Sequence, residues 1–162
     1  MIRRLVPADA EELATVLASE RAALAATSPR GILSQDAAAV RAAIERPLDY
    51  RFGILGGDGR IIGAITITNV VRGPFRSANL GYWVAVAEQG RGHASAAVAS
   101  ACRFAFGEGG LHRLEAGTLV DNVASQRVLE RNDFLRIGIS PRHLEIAGEW
   151  RDHVLFSRVA DP

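Results

Sequence analysis

Tyr82-Trp83-Val84-Ala85-Val86-Ala87-Glu88-Gln89-Gly90-Arg91-Gly92-His93-Ala94 passes from an apolar, β-rich segment through two closely spaced glycines into an alanine-rich one. That order reads as a strand, a tight turn and the first turn of a helix. Gly90 and Gly92 let backbone approach a ligand with no Cβ in the way. The first amides of a helix lack intrahelical partners and point to one locus at the positive end of the helix dipole. Such a locus holds phosphate without net positive charge, and Arg91 can add a charge-assisted contact. The same glycines also serve as an ordinary connecting turn. Neither common nucleotide signature is present: no Gly-Lys-Ser/Thr follows, and the third glycine of a dinucleotide fingerprint is missing.

Outward from this turn, residues 91–107 carry Ala94, Ala97, Val98, Ala101 and Ala105 on one helical stripe, small enough to pack closely on a sheet. Residues 112–120 read as a strand, 123–131 as a short helix, and 134–146 with 150–159 as a hairpin around Ala147-Gly148. Upstream, 50–55, 61–71 and 77–86 read as strands, with Gly56-Gly57-Asp58-Gly59 as the hairpin turn between the first two. Residues 2–6 read as a strand and 7–27 as a helix, with Leu13, Val16, Leu17 and Leu24 on one face. Ser28-Pro29-Arg30-Gly31 breaks the chain, and Ser34 is the expected N-cap of a second helix ending near Arg46. The order βαα-βββ-αβ-αβ-β predicts a mixed α/β (α+β) fold around one mostly antiparallel sheet, with a βαβ crossover in the middle.

At 162 residues, 48% hydrophobic and 23% charged, the chain has the size and composition of one globular domain, 1–162. A net charge of +1 gives no electrostatic pull toward nucleic acid. Cys102 stands alone, which excludes an internal disulfide and a cysteine zinc site. The histidines show no metal-ligand spacing, so no metal is expected. No apolar run is long enough to span a membrane. MIRRLVPADAEELA has no apolar segment after its arginines, so no secretory signal is read and the expected compartment is the cytoplasm.

A second informative stretch is Asp121-Asn122-Val123-Ala124-Ser125-Gln126-Arg127-Val128-Leu129-Glu130. Asn122 sits where a strand enters a helix, a capping position, and Ser125 lies in the first helical turn. If the sheet opens beside the first helix, both face the same crevice as the glycine turn. The Asn amide can then hold a peptide-like arm, and the Ser hydroxyl can donate to a thiolate. Together the two stretches resemble the Gcn5-related N-acetyltransferases (GNAT), in particular the RimJ/RimL branch that acetylates protein N-termini. The resemblance covers most of the chain and is best over 81–156. It rests on Gln89-Gly90-Arg91-Gly92-His93-Ala94, which matches the family's Q/R-x-x-G-x-G/A, followed by Leu111-His112-Arg113-Leu114-Glu115-Ala116. Asn122-x-x-Ser125-x-x-Val128-Leu129 and Gly148-Glu149-Trp150-Arg151-Asp152-His153 complete it, in the family's order.

The resemblance implies two parallel strands, ending near Val86 and Val120, that splay apart around acetyl-CoA. It implies that backbone of Val84 and Val86 bonds the pantetheine arm, while Gln89 and the amides of Arg91, Gly92, His93 and Ala94 cradle the pyrophosphate. Asn122 is then a pantetheine contact, and Ser125 lies near the thioester sulfur as the donor to the departing thiolate. Tyr82, Trp83 and Trp150 are candidates to line the acceptor channel, with core or rim packing equally open for each. The implied reaction is direct attack by a primary amine on the acetyl carbonyl. The implied acceptor is the α-amine of a protein N-terminus, ribosomal in type. An α-amine titrates near pH 8 against about 10.4 for lysine, so it needs less help from a base. A small amine (amino acid, polyamine or aminoglycoside) and a catalytically silent acyl-CoA-binding domain are the alternatives, and a homodimer is compatible with each. All 19 basic residues are arginine, so an amine acylator of this sequence has no lysine of its own to modify.

The chain departs from the family pattern in three places. Family members often carry a glutamate on the sheet near the acceptor; here Asn79 and Tyr82 occupy that strand. Glu88 is too near the glycine turn, Glu115 reads as facing the other layer, and Asp152 reads as a partner for a nearby arginine, so no base is assigned. Asp133-Phe134 and Ile137-Gly138 stand where the family commonly has Gly-Phe and Glu-Gly. Cys102 reads as a buried core thiol, and His112 and His153 read as hydrogen-bonded structural histidines.

Overall fold

β-Branched residues recur through Ile61–Val71 (β3), aromatic and aliphatic ones fill Tyr50–Leu55 (β2), and between them Gly59, at φ 81°, closes the turn by donating its N–H to Gly56 at 3.2 Å. These two strands pair within the larger half of a seven-stranded sheet. In the computed structural model, which describes residues 1–29 and 35–160, the sheet also contains β1 (Ile2–Arg4), β4 (Ser77–Val84), β5 (Arg113–Leu119), β6 (Leu135–Ile146) and β7 (Glu149–Val159). The spatial order is β1-β2-β3-β4-β5-β7-β6.

Two apolar layers sandwich the sheet. On one face lie α3 (His93–Phe106) and α4 (Val123–Glu130). The small stripe of α3, Ala97, Val98, Ala101, Cys102 and Ala105, is buried there against Ile54, Ile65, Ile67 and Leu114. On the other face, α1 (Ala10–Leu24) and α2 (Ala37–Ile44) bury Leu13, Leu17, Leu24 and Val40 against Leu5, Ile61 and Ala64.

Every neighbouring pair of strands is antiparallel except β4 and β5. These two run parallel and pair only at Ser77↔Arg113, Ala78↔Leu114 and Asn79↔Glu115. Beyond Asn79 they diverge. β4 stays with β3 as far as Val84, and β5 stays with β7 as far as Leu119. The gap between them is a wedge that opens toward the start of α3.

Three local departures from the sequence reading have identifiable causes. The strand expected to reach Val86 stops at Val84, where Ala85 makes a last bond to Ile62 (2.8 Å) and residues Val86–Glu88 turn as a 3-10 helix. The carboxylate of Glu20 on α1 holds the Val86 N–H at 2.9 Å. The N-cap of α2 is Asp36, whose Oδ1 accepts the Ala39 N–H at 2.8 Å; Ser34 and Arg30-Gly31 lie outside the described residues. Asp133 adopts the left-handed conformation (φ 60°) that a family glycine would take, and Ile137 is the extra residue of a bulge in β6.

Candidate active site

The wall of the wedge on the β4 side is main chain. Because Ala85 bonds to Ile62 on β3, ladder alternation turns the N–H and C=O groups of Val84 and Tyr82 the other way, into the gap. The Val84 carbonyl is met there by Gln89 Nε2 at 3.1 Å. On the β5 side, Thr118 Oγ1 is buried and has no hydrogen-bond partner among the described residues. A hydroxyl so placed costs roughly 1–3 kcal/mol until something bonds to it.

At the mouth of the wedge stands the glycine turn. Gly90 and Gly92 have φ 73° and 83°, and a Cβ at either would meet nothing within 4 Å. Residues 90–95 keep their main-chain N–H groups without a partner among the described residues; the first amide to bond back is Ala96, to Gly92 at 3.0 Å. These amides, those of His93 and Ala94 at the start of α3 among them, leave an open cradle with the helix dipole behind it. Arg91 flanks it and is held at 3.1 Å by Glu88, which also lies 3.4 Å from His93 Nε2.

At the inner end, Asn122 caps α4, its Oδ1 accepting the Ser125 N–H at 3.1 Å. Ser125 Oγ lies 2.8 Å from the Tyr82 hydroxyl, and either can donate; Tyr82 also reaches the Ser125 carbonyl at 3.2 Å. Burial drives the Tyr82 pKa up to about 12, against the opposing pull of Ser125, so the pair keeps its protons across the physiological range.

A cavity of about 430 Å³ begins at the inner end, beside Tyr82 and Ser125, and continues through the sheet to the face covered by α1 and α2. Tyr82, Trp83, Thr118 and Ser125 line it, as do His143 and His153 from the last hairpin. The structure therefore brings Tyr82, Trp83, Val84, Asn122 and Ser125 around the wedge, and Gln89, Arg91, Gly92, His93 and Ala94 around its mouth. It does not bring Val86, which is half-exposed beyond the strand with its amide taken, or Trp150, which is 62% exposed at the hairpin tip. Asp152 accepts the main-chain N–H of Arg142 at 2.8 Å and not an arginine side chain. Glu115 stands beside Arg113 at 3.8 Å, away from the cavity lining. Of the two histidines in the lining, the sequence reading passed over His143 and took His153 as structural. Their placement on either side of the Ala147-Gly148 turn was the available signal, since a hairpin brings such positions face to face. Among the described residues, no group of three or more His, Cys, Asp or Glu is placed to hold a metal ion, and no helix is long and apolar enough to cross a membrane.

The site is thus a parallel strand pair that splits after three rungs, with main chain along the gap and free helix-start amides at its mouth. Residues 1–135 match the acetyltransferase (GNAT) domain, and the chain belongs to that family. It is 38% identical over 111 residues to a probable N-acetyltransferase, YjcK, of Bacillus subtilis (68% of this chain, 61% of that protein). It is 36% identical over 107 residues to the [ribosomal protein uS5]-alanine N-acetyltransferase of Escherichia coli (65% and 55%). The matched region thus spans less than two thirds of either relative. Among solved structures, Mycobacterium smegmatis RimJ in complex with CoA-disulfide superposes with a TM-score of 0.87 at 31% identity, over 98% of this chain and 81% of that one.

Proposed function

We propose that this protein transfers an acetyl group from acetyl-CoA to a primary amine, and that the amine is the α-amine of a protein N-terminus. One observation carries the reading: the wedge between β4 and β5 has a wall of free amides, a phosphate cradle at its mouth and a hydroxyl pair at its inner end. Pantetheine is a chain of amides and fits such a wall. Val84 and Tyr82 present main-chain groups to it, Asn122 retains its side-chain N–H donors, and Thr118 Oγ1 gains a partner. The amides of Arg91, Gly92, His93 and Ala94 receive the pyrophosphate. Ser125 and Tyr82 stand at the sulfur, and a free amide of β4 is placed to steady the carbonyl oxygen as it gains charge. The RimJ complex with a CoA-disulfide and the uS5-alanine relative support the cofactor and the acceptor class. Cytoplasm is the compartment where acetyl-CoA and nascent N-termini meet.

The test is CoA release from acetyl-CoA with two versions of one lysine-containing peptide, one with a free N-terminal alanine and one with that terminus blocked. Release with the free version alone is expected. Equal release with both assigns the acceptor to a side chain. Release with neither, but with a polyamine or amino acid, assigns it to small amines.

A further inference from the structure

An ammonium group must lose protons to become an amide nitrogen, and none of the carboxylates considered from the sequence lies in the cavity. The last hairpin supplies a different group. His153 on β7 is 3% exposed and stands between Leu119 of β5 and Ser140 of β6. Its Nδ1 lies 3.0 Å from the main-chain oxygen of Arg151, which can only accept. In the neutral ring, Nδ1 therefore carries the hydrogen and Nε2 keeps its lone pair. The exposed ring of His143 is 5.3 Å away, centroid to centroid, with its Nδ1 3.0 Å from Ser140 Oγ.

Gly117 of β5 lies beside both rings. A Cβ there would lie 3.6 Å from His153 Cδ2 and 3.9 Å from His143 Cδ2, so each ring turns the edge bearing Nε2 toward the strand beside the wedge. Strand alternation places Leu114 and Ala116 under α3 and Gly117 on the opposite face. Ser125 and Tyr82 belong to the α3 side. The two histidines thus meet the cavity from the face opposite the hydroxyl pair, where an incoming amine would stand across the carbonyl from the departing sulfur.

We propose that His153 is the general base for the acceptor amine and that His143 passes its proton to water, an assignment that rests on the acetyl-transfer reading above. The ammonium gives one proton to His153 Nε2, and His143 returns it to solvent. The free amine attacks; the N–C bond forms and the C–S bond breaks. The nitrogen's second proton leaves by the same route, and the thiolate takes one from water, so each turnover releases one proton net. The charged groups around His153 are His143 from β6 and Arg151 and Asp152 from β7, while β5 offers only Gly117, Thr118 and Leu119. Burial, with the charge of His143 added, holds its pKa below the ordinary 6.5. Reaching such a base from an α-ammonium near pH 8 is uphill, and from a lysine near 10.4 it is uphill by roughly two further powers of ten. The base therefore favours an α-amine.

The test compares wild type with His153→Gln and His143→Gln on the alanine peptide. His153→Gln should lower kcat/KM by about 100-fold or more while acetyl-CoA affinity stays unchanged. Its acid limb should move from below pH 6.5 to near 8, the amine's own titration. Imidazole added to His153→Ala should restore turnover. His143→Gln, on an exposed position, should lower kcat with KM unchanged, and it decides the matter if His153→Gln does not fold. Wild-type kcat/KM and pH profile in both glutamine variants overturn the assignment. So does a rate loss matched by lost acetyl-CoA affinity. A wild-type chain that binds acetyl-CoA but releases CoA with no amine overturns the function and the base together.

Discussion

At the scale of single residues, the protons of the Tyr82–Ser125 pair limit the role proposed for it at the leaving thiolate. A free thiol titrates near 8.5, and the Tyr82 phenol is driven by burial to about 12. Full transfer from that phenol to sulfur is uphill by roughly three powers of ten. In the proposed reaction the pair therefore acts as a hydrogen-bond donor: with Tyr82 donating to Ser125 Oγ, the serine hydrogen is left for the sulfur. Ser125→Ala should cut kcat by about 10-fold to 100-fold, the scale of one lost charge-directed donor, with CoA affinity unchanged. Tyr82→Phe should cost a few-fold, and the double variant less than the product of the two, because they act as one unit. Unchanged kcat in Ser125→Ala removes the role. Ser125 was legible in the sequence because its spacing from Asn122 is a local, helical feature. The role proposed for His153 was not, because it depends on Gly117 and His143, neighbours brought by strand pairing from other parts of the chain.

Among the elements, β3 and β4 approach so closely that one glycine has no substitute. A Cβ on Gly63 would collide with the Trp83 carbonyl oxygen and press on the Val84 backbone, and backbone cannot rotate away as a flexible side chain can. Gly63→Ala should destabilise the fold by about 1–3 kcal/mol, the usual range for overpacking. It should also displace Tyr82 and Val84, so CoA affinity falls with stability. A variant with unchanged melting temperature and unchanged CoA affinity would show that the two strands are not held at this spacing. The existence and order of the elements were readable from periodicity and turn residues, because both are local. Their ends were less so. β4 stops short of Val86 because the chain turns there, the Glu88 N–H bonding back to Ala85 at 2.9 Å, while Glu20, on a helix far away in sequence, holds the Val86 amide. The cap of α2 falls on Asp36, since its carboxylate reaches the Ala39 N–H and satisfies an orphan donor at the helix start.

For the whole molecule, the sheet consists of two halves, β1 to β4 and β5 to β7, joined by a three-rung parallel ladder and by the apolar layer under α3. Pattern alone indicated a central crossover; that the crossing strands part after Asn79 follows from each having a complete antiparallel partner on its other side. A ligand lying in the gap replaces the missing rungs with its own amides and ties the two halves together. CoA at 100 times its dissociation constant should then add about 2.7 kcal/mol to the folded state. For a chain of this size that is a rise in melting temperature of roughly 5–10 °C. Gly92→Asp, which puts a negative charge and a strained left-handed side chain in the cradle, should reduce that rise sharply. The location is tested by hydrogen exchange: CoA should slow the amides of Tyr82, Val84, His93 and Ala94 more than those of the β6–β7 hairpin tip. Protection confined to the hairpin, or a thermal shift of equal size in Gly92→Asp, would place the ligand elsewhere and remove the wedge as the seam on which this molecule works.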